Sequence, residues 1–362
     1  MGHQYQAVQW NSNKLQYDLA IAVFAFLYIS VFVLTGLQPT ETGHTPDPVV
    51  LLIRAFGTCA FLLLSFILMI GPLARLSDRF KPMLYNRRHF GVFTFLIAAV
   101  HFLLALVWYH GFGPINPLLS LFVSNQPGGT FPGFPFEVFG LVAFVIMLLM
   151  AVTSHDFWLN NLSAPVWKAL HMLVYVAYGL LIIHIAAGAL LTEKSLLYPA
   201  LVLVSFITVA GLHILTGLRE SGNDRLRSKF ENEGWIAVAA PQDIPDKRAV
   251  IVPVASGERV AVFRDHDKLS AVTNVCRHQN GPLGEGRIVD GCVTCPWHGW
   301  QYRMEDGISP PPFTEKIATY NLKLMNGMVF LNPEANAPGT YVEPVRFDLA
   351  ADQVANTNEV PA

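Results

Sequence analysis

The chain has 362 residues, of which 52% are hydrophobic and only 14% charged, with a formal net charge of −2. Soluble domains carry about 25% charged residues, so this balance belongs to a membrane protein and gives no sign of a nucleic-acid partner. Cysteines number four in the whole chain, which excludes a secreted disulfide framework.

Residues 1–18 are polar and lack the basic-then-apolar pattern of a cleaved signal; they are expected to form a cytoplasmic segment. A bilayer core about 30 Å thick needs about 20 apolar helical residues. Stretches of that kind fall at 19–37, 49–70, 90–109, 134–152, 166–190 and 196–218, which predicts a six-span bundle over 19–220. The connection 71–89 carries Arg75, Arg79, Lys81, Arg87 and Arg88, whereas 38–48 and 110–133 have no Lys or Arg. Positively charged loops stay inside, so both termini are expected in the cytoplasm of a bacterial-type cytoplasmic membrane. "LRESGNDRLRSK", after the last span, agrees.

Histidine is costly within a bilayer and usually functional there. His89 and His101 are twelve positions apart on one span, and His171 and His184 thirteen apart on another. At about 1.5 Å per residue, these separations are about 18 and 20 Å. Two such helices can clamp two haems, His89 with His171 near the inner face and His101 with His184 near the outer. Interhelical hydrogen bonding is the alternative. Neither spacing returns to the same helix face, so a clamp needs a bulge, a tilt or two approach directions. His89 is interfacial beside Arg87 and Arg88, and its place as a ligand is provisional. His110 and His213, near span ends, read as structural. Arg54 either snorkels outward or pairs with a haem propionate.

With "RRHFGVFTFLIAAVH", "AVTSHDF" and "WKALHMLVYVAYGLLIIH", residues 49–190 resemble the ferric reductase-like transmembrane family. That family includes NADPH oxidases, ferric reductases and the MsrQ type. The MsrQ pattern appears as Arg87, Arg88, Gly91 and His101. The resemblance implies a six-helix bundle with stacked b-type haems, one or two here with two favoured, and His101, His171 and His184 as ligands. His89 stands where the MsrQ pattern has no histidine.

From about 231 short β-type runs separated by turns replace the apolar helices: "WIAVAA", "AVIVPV", "RVAVFR", "LSAVTNV", "NLKLM" and "MVFLN". This predicts a linker over 221–231, an all-β domain over 232–334 and a loose tail over 335–362. Within the β region lie Cys276-Arg-His278 and Cys295-Pro-Trp-His298. Zinc accepts such donors, but its fingers space them differently. One thiolate and one imidazole per loop suits a two-iron cluster, with Cys276 and Cys295 on one iron and His278 and His298 on the other. "CRHQNGPLGEG" and "CPWHGWQYRMEDG" resemble the two loops of Rieske [2Fe–2S] proteins. Gly281 and Trp297 stand where respiratory Rieske subunits have a disulfide, and Gly299-Trp300 where they have a serine donating to a cluster sulfide. This implies a ferredoxin-type domain with a potential low in the Rieske range. The outward nitrogens of His278 and His298 are expected at the surface, and Cys292 is expected as a core thiol.

Neither an iron-binding facial triad nor a GxGxxG opening a helix is evident. The expected architecture is thus a multi-domain membrane protein, a six-helix bundle followed by an all-β Rieske domain. The expected flow of electrons is from a cytoplasmic reductase or ferredoxin, through cluster and haems, to an outer acceptor such as ferric iron, a periplasmic reductase or dioxygen. Two alternatives are a reverse flow from quinol or an external donor, and a non-enzymatic redox sensor.

Overall fold

The computed structural model describes residues 12–38, 46–84, 86–123, 130–131, 134–155, 158, 162, 164–192, 195–227, 231–232, 234–254 and 258–347. They divide into two compact units, one of 12–76 with 86–214, the other of 77–84 with 215–347.

The first unit is helical: α1 (Ser12–Gly36), α2 (Pro48–Leu76), α3 (Arg87–Ala105), α4 (Glu137–Thr153), α5 (Ala164–Met172), α6 (Val174–Ala187) and the start of α7 (Leu197–Arg227). Pro48 stands at the first helical position of α2, where its missing N–H costs nothing. Asp47 caps that helix, its carboxylate accepting the N–H of Val49 at 2.7 Å. α3 runs on into a π-helical turn, Leu106–His110.

Among the described residues, five helices are long and apolar enough to cross a membrane: Leu15–Gly36, Pro48–Leu76, Arg87–His110, Val166–Leu191 and Leu197–Gly222. The expected span at 134–152 is the 17-residue α4, about 25 Å at 1.5 Å per residue and short of the bilayer core. Five of the six expected spans thus meet that length, and the expected sixth is a shorter apolar helix. Large apolar side chains such as Phe26, Leu34, Leu103 and Leu203 remain exposed, as a lipid-facing surface requires. The core joins Phe61, Leu64 and Leu68 of α2 to Ala143 and Met147 of α4, Ala177 and Tyr178 of α6, and Val202 and Val209 of α7. Phe61 and Tyr178 stack at 5.5 Å, and the Tyr178 hydroxyl lies 3.1 Å from Ser65 Oγ.

The β part of the second unit contains β1 (Trp235–Ala239), β2 (Ala249–Pro253), β3 (Arg259–Asp265), β4 (Lys268–Thr273), β5 (Arg287–Val289), β6 (Cys292–Thr294), β7 (Gln301–Arg303), β8 (Thr319–Met325), β9 (Met328–Ala335) and β10 (Val345–Arg346). The larger sheet runs β1-β9-β8-β4-β3-β2, with β10 also on β4 and Glu231–Asn232 beyond β1; β7-β6-β5 form a small separate sheet. Every pairing is antiparallel. β3 explains why two sheets make one domain. Successive side chains on a strand point to opposite faces, and Val260, Ala261, Val262 and Phe263 are all fully buried. Val260 and Val262 enter a core with Ile236, Leu269 and Leu331. Ala261 and Phe263 enter a second core with Leu283, Val293, Trp300, Tyr302, Cys276 and Cys295. The two candidate ligand cysteines are therefore anchored among packed side chains.

Two expected boundaries shift. Helix α7 continues to Arg227, so most of the expected linker 221–231 is helical. The expected loose tail is ordered through 347: Val345 pairs with Leu269, and Phe347 packs into the Val260 core. Two apolar residues among prolines and acids are too few for a visible strand pattern. The rest of that tail, and positions 1–11 of the N-terminal segment, lie outside the described residues.

Candidate metal centre and intramembrane histidines

The two Cys-His loops are built alike. In the first, the Cys276 N–H donates to Gly281 O at 2.9 Å and the Asn280 N–H returns to Cys276 O at 2.7 Å. In the second, the Cys295 N–H donates to Trp300 O at 2.7 Å and the Gly299 N–H returns to Cys295 O at 2.9 Å. Each turn is closed by a left-handed residue, Asn280 at φ 57 and Gly299 at φ 73, residue types that tolerate this region. Backbone N–H groups of His278 and Gln279 are thereby aimed at Cys276 Sγ, and those of Trp297 and His298 at Cys295 Sγ.

The loops meet at their cysteines. Gly281 permits this, since a Cβ there would sit 2.7 Å from Cys295 Sγ and 3.2 Å from the Trp297 ring. Cys276 and Cys295 are buried and neither is in a disulfide, and their thiols are in hydrogen-bonding contact. Burial pushes the Cys295 thiol well up, and its neighbour Cys276 pushes it further. Burial also opposes ionisation of Cys276, but hydrogen bonds from Cys295, Tyr302 and the loop backbone outweigh it and bring that thiol down. His278 and His298 lie edge to face at 5.2 Å, with both Nδ1 atoms buried although the residues are only half-buried. Two adjacent thiols without a disulfide, faced by two imidazoles turning Nδ1 inward, fit the donor set of a mixed-ligand two-iron cluster. Cys292 is apart from this group, in β6 between Val289 and Arg303, with its thiol pushed up to about 11 by burial.

Trp300, beside Gly299 at the position of the missing serine, lies flat on His278, with centroids 4.2 Å apart and planes at 7°. Its indole N–H donates to Ser309 Oγ at 3.1 Å. Sequence reasoning overlooked Tyr302. Its hydroxyl accepts the Arg277 N–H at 3.0 Å and lies in hydrogen-bonding contact with Cys276 Sγ at 3.4 Å; toward a thiolate, which has no proton, the hydroxyl is the donor. Only its position four residues after His298, on a strand that leaves the loop, could have hinted at this.

In the helical unit, His101 Nδ1 is 2.8 Å from Ile53 O of α2, and His184 Nδ1 is 3.0 Å from Phe136 O at the start of α4. A carbonyl only accepts, so each Nδ1 carries the proton and each Nε2 keeps its lone pair for a metal. The two rings are within electrostatic range of each other. This donor pair fits a bis-imidazole haem.

His171 stacks on Trp167 at 3.8 Å and donates from Nδ1 to Trp167 O at 3.0 Å, with Arg87 in electrostatic range. Along this span the helix is interrupted at Leu173, which separates α5 from α6 between the two histidines. Along α3 the two histidines have different neighbours: His101 turns to α2, while His89 pairs through Nδ1 with Asp18 of α1 at 2.9 Å. Arg54 follows Ile53 and lies in electrostatic range of Tyr109. His110 meets Ser120 Oγ at 2.9 Å and His213 meets the Tyr175 hydroxyl at 3.0 Å, both within hydrogen-bonded networks.

An apolar helical bundle joined to a two-sheet β domain that gathers two cysteines and two histidines defines a multi-pass membrane redox protein. Residues 56–182 match the ferric reductase like transmembrane component, and residues 234–321 match the Rieske [2Fe-2S] domain. The heme-binding subunit MsrQ of protein-methionine-sulfoxide reductase from Herminiimonas arsenicoxydans is 31% identical over 186 residues, 51% of this chain and 78% of that protein. Its namesake from Bordetella pertussis is 33% identical over 160 residues, 43% of this chain and 71% of that protein. The anthranilate 1,2-dioxygenase ferredoxin subunit of Burkholderia cepacia is 36% identical over 80 residues, 22% of this chain and 74% of that subunit. The chain belongs to the ferric reductase-like transmembrane family, in its MsrQ-type branch, fused to a Rieske domain. It is an oxidoreductase or an electron-transfer component of one, and its role is transmembrane electron transfer.

Proposed function

We propose that the chain carries single electrons outward across a bacterial-type cytoplasmic membrane, with both termini inside. Cys276, His278, Cys295 and His298 would hold one [2Fe–2S] cluster. His101 with His184 would hold one b-type haem, and His171, with His89 as its candidate partner, a second; Arg54 would face a propionate. Bound there, these groups supply reversible one-electron chemistry. The chain's own part is to keep Nδ1 protonated so that Nε2 can ligate, to aim N–H dipoles at the sulfurs, and to hold the thiols away from water.

One observation carries the reading: two intramembrane imidazoles from different helices share one tautomer and lie within range of each other. A ferredoxin subunit among the relatives of the β domain supports a cytoplasmic reductase or ferredoxin as donor. Relatives named as a reductase's heme-binding subunit support a reductase as outer acceptor, ahead of ferric iron or dioxygen. The test is reconstitution of the holoprotein in liposomes enclosing an acceptor, with reductant presented on the Rieske side. Reduction of the enclosed acceptor is expected, and a sealed vesicle that leaves it oxidised would refute the conduit.

Reverse flow has one observation in its favour. The Tyr302 hydroxyl lies 3.4 Å from Cys276 Sγ; with that sulfur held as a thiolate the hydroxyl donates to it, which would raise the cluster's potential above what the missing serine alone implies. Potentiometric titration decides: a cluster more than about 60 mV above both haems, roughly tenfold per electron, selects the inward direction.

A further inference from the structure

We propose that Gly57 and Gly140 are positioning residues for the haem held by His101 and His184, and that this site is assembled from two equivalent halves of the bundle. The inference rests on the reading of those two histidines as ligands. On α2, the carbonyl that takes the His101 proton belongs to Ile53, and Gly57 is one helical turn further on. Residues four apart share a helix face, so the imidazole that reaches the carbonyl must lie across position 57. A Cβ there would sit 2.9 Å from both Cε1 and Nδ1 of His101. The other half repeats this. Phe136 supplies the carbonyl for His184, Gly140 is four positions on, and a Cβ at Gly140 would sit 2.8 Å from Cε1 and Nδ1 of His184.

Spacing extends the equivalence. Each histidine is 48 positions after its carbonyl. Phe136, Gly140 and His184 each stand 83 positions after Ile53, Gly57 and His101 (136 less 53, 140 less 57, 184 less 101). Contacts below 3 Å are not available to a real Cβ, so a methyl at either glycine drives the ring off its carbonyl. That loosens ring orientation and lowers the basicity of Nε2, the two properties that a hydrogen bond behind a ligating histidine secures. A glycine in an apolar helix usually serves close helix packing; here the atom that it admits is the ligand ring itself.

The experiment uses the full-length holoprotein in detergent or nanodiscs. Gly57→Ala and Gly140→Ala are compared with Gly211→Ala in α7, where a Cβ meets nothing within 4 Å. Haem is counted per iron–sulfur cluster, and the low-spin haem EPR signal and haem midpoint potentials are recorded. Both test variants are expected to shift the same low-spin signal and to weaken retention of that haem by about 10–100-fold. The other haem, the cluster and the Gly211→Ala protein should match the unmodified chain. Three results would each overturn the proposal: unchanged signals, haem and cluster lost in proportion, or effects on different haems or from only one glycine. His101→Ala and His184→Ala run in parallel separate the two levels. Haem retained in those proteins defeats the ligand reading, whereas haem lost there but normal in the glycine variants defeats only the positioning role.

Discussion

Replacing Tyr302 with Phe removes one hydroxyl from a fully buried ring and leaves its packing with Phe263 and Val293 intact. The lost group lies 3.4 Å from Cys276 Sγ and donates to it when that sulfur is a cluster-bound thiolate. A hydrogen bond to a charged acceptor is worth about 1.5–3 kcal/mol. Reduction adds negative charge next to that sulfur, so the bond is stronger in the reduced state, and its loss penalises reduction. If about 1 kcal/mol of it is redox-dependent, the potential falls by about 40 mV, at about 59 mV per tenfold and about 1.4 kcal/mol per tenfold. EPR-monitored titration of the reduced cluster signal measures this directly. The expected result is a lower midpoint with an intact signal, and haem potentials that do not move. A midpoint unchanged within about 10 mV, or one that rises, would refute the assignment of Tyr302 as a donor to the cluster's cysteine.

Cys276→Ser or His298→Ala should abolish the cluster's EPR signal while the haem spectrum persists; stoichiometric zinc without iron in the unmodified protein would contradict the metal assignment. His101→Ala and His184→Ala should remove the same haem and His171→Ala a different one, as read from pyridine haemochrome content and the low-spin EPR signals. A reporter fused to the C-terminus should report the cytoplasm, and activity of a periplasm-specific reporter there would reverse the topology. Phe263→Ala should destabilise the β domain by about 3–5 kcal/mol, seen as a lower temperature for loss of the cluster signal with little change in the haem bands.

The cluster loops were legible because each places its thiolate and imidazole within a few residues, so chain order alone predicts the donor set. Tyr302 was not legible, because its partner Cys276 is 26 positions away and only the folding of β7 against the first loop joins them. The missing serine was visible and argued for a low potential; the tyrosine that counters it was not. His101 and His184 were legible as a pair from depth and chain direction. What holds them was hidden, since Ile53 and Phe136 act through backbone carbonyls and Gly57 and Gly140 act by having no side chain. The helix-face mismatch at His171 and His184 was visible in their spacing, but the interruption at Leu173 between them was not: no proline or glycine marks that position.

The cysteine turns at 276–281 and 295–300 each aim two of their own backbone N–H groups at their sulfur. Side-chain exchange cannot delete a peptide N–H, short of proline, and preorganised dipoles need no rearrangement when charge arrives. An electron reaching an iron–sulfur cluster held there would meet dipoles already in place, so little protein motion would accompany it in either direction. It follows that point mutations can retune the potential only through the side chains that lean on this backbone frame, chiefly Tyr302 against Cys276 and Trp300 against His278. A cluster held by this frame would keep its pace while its voltage answers to those two side chains.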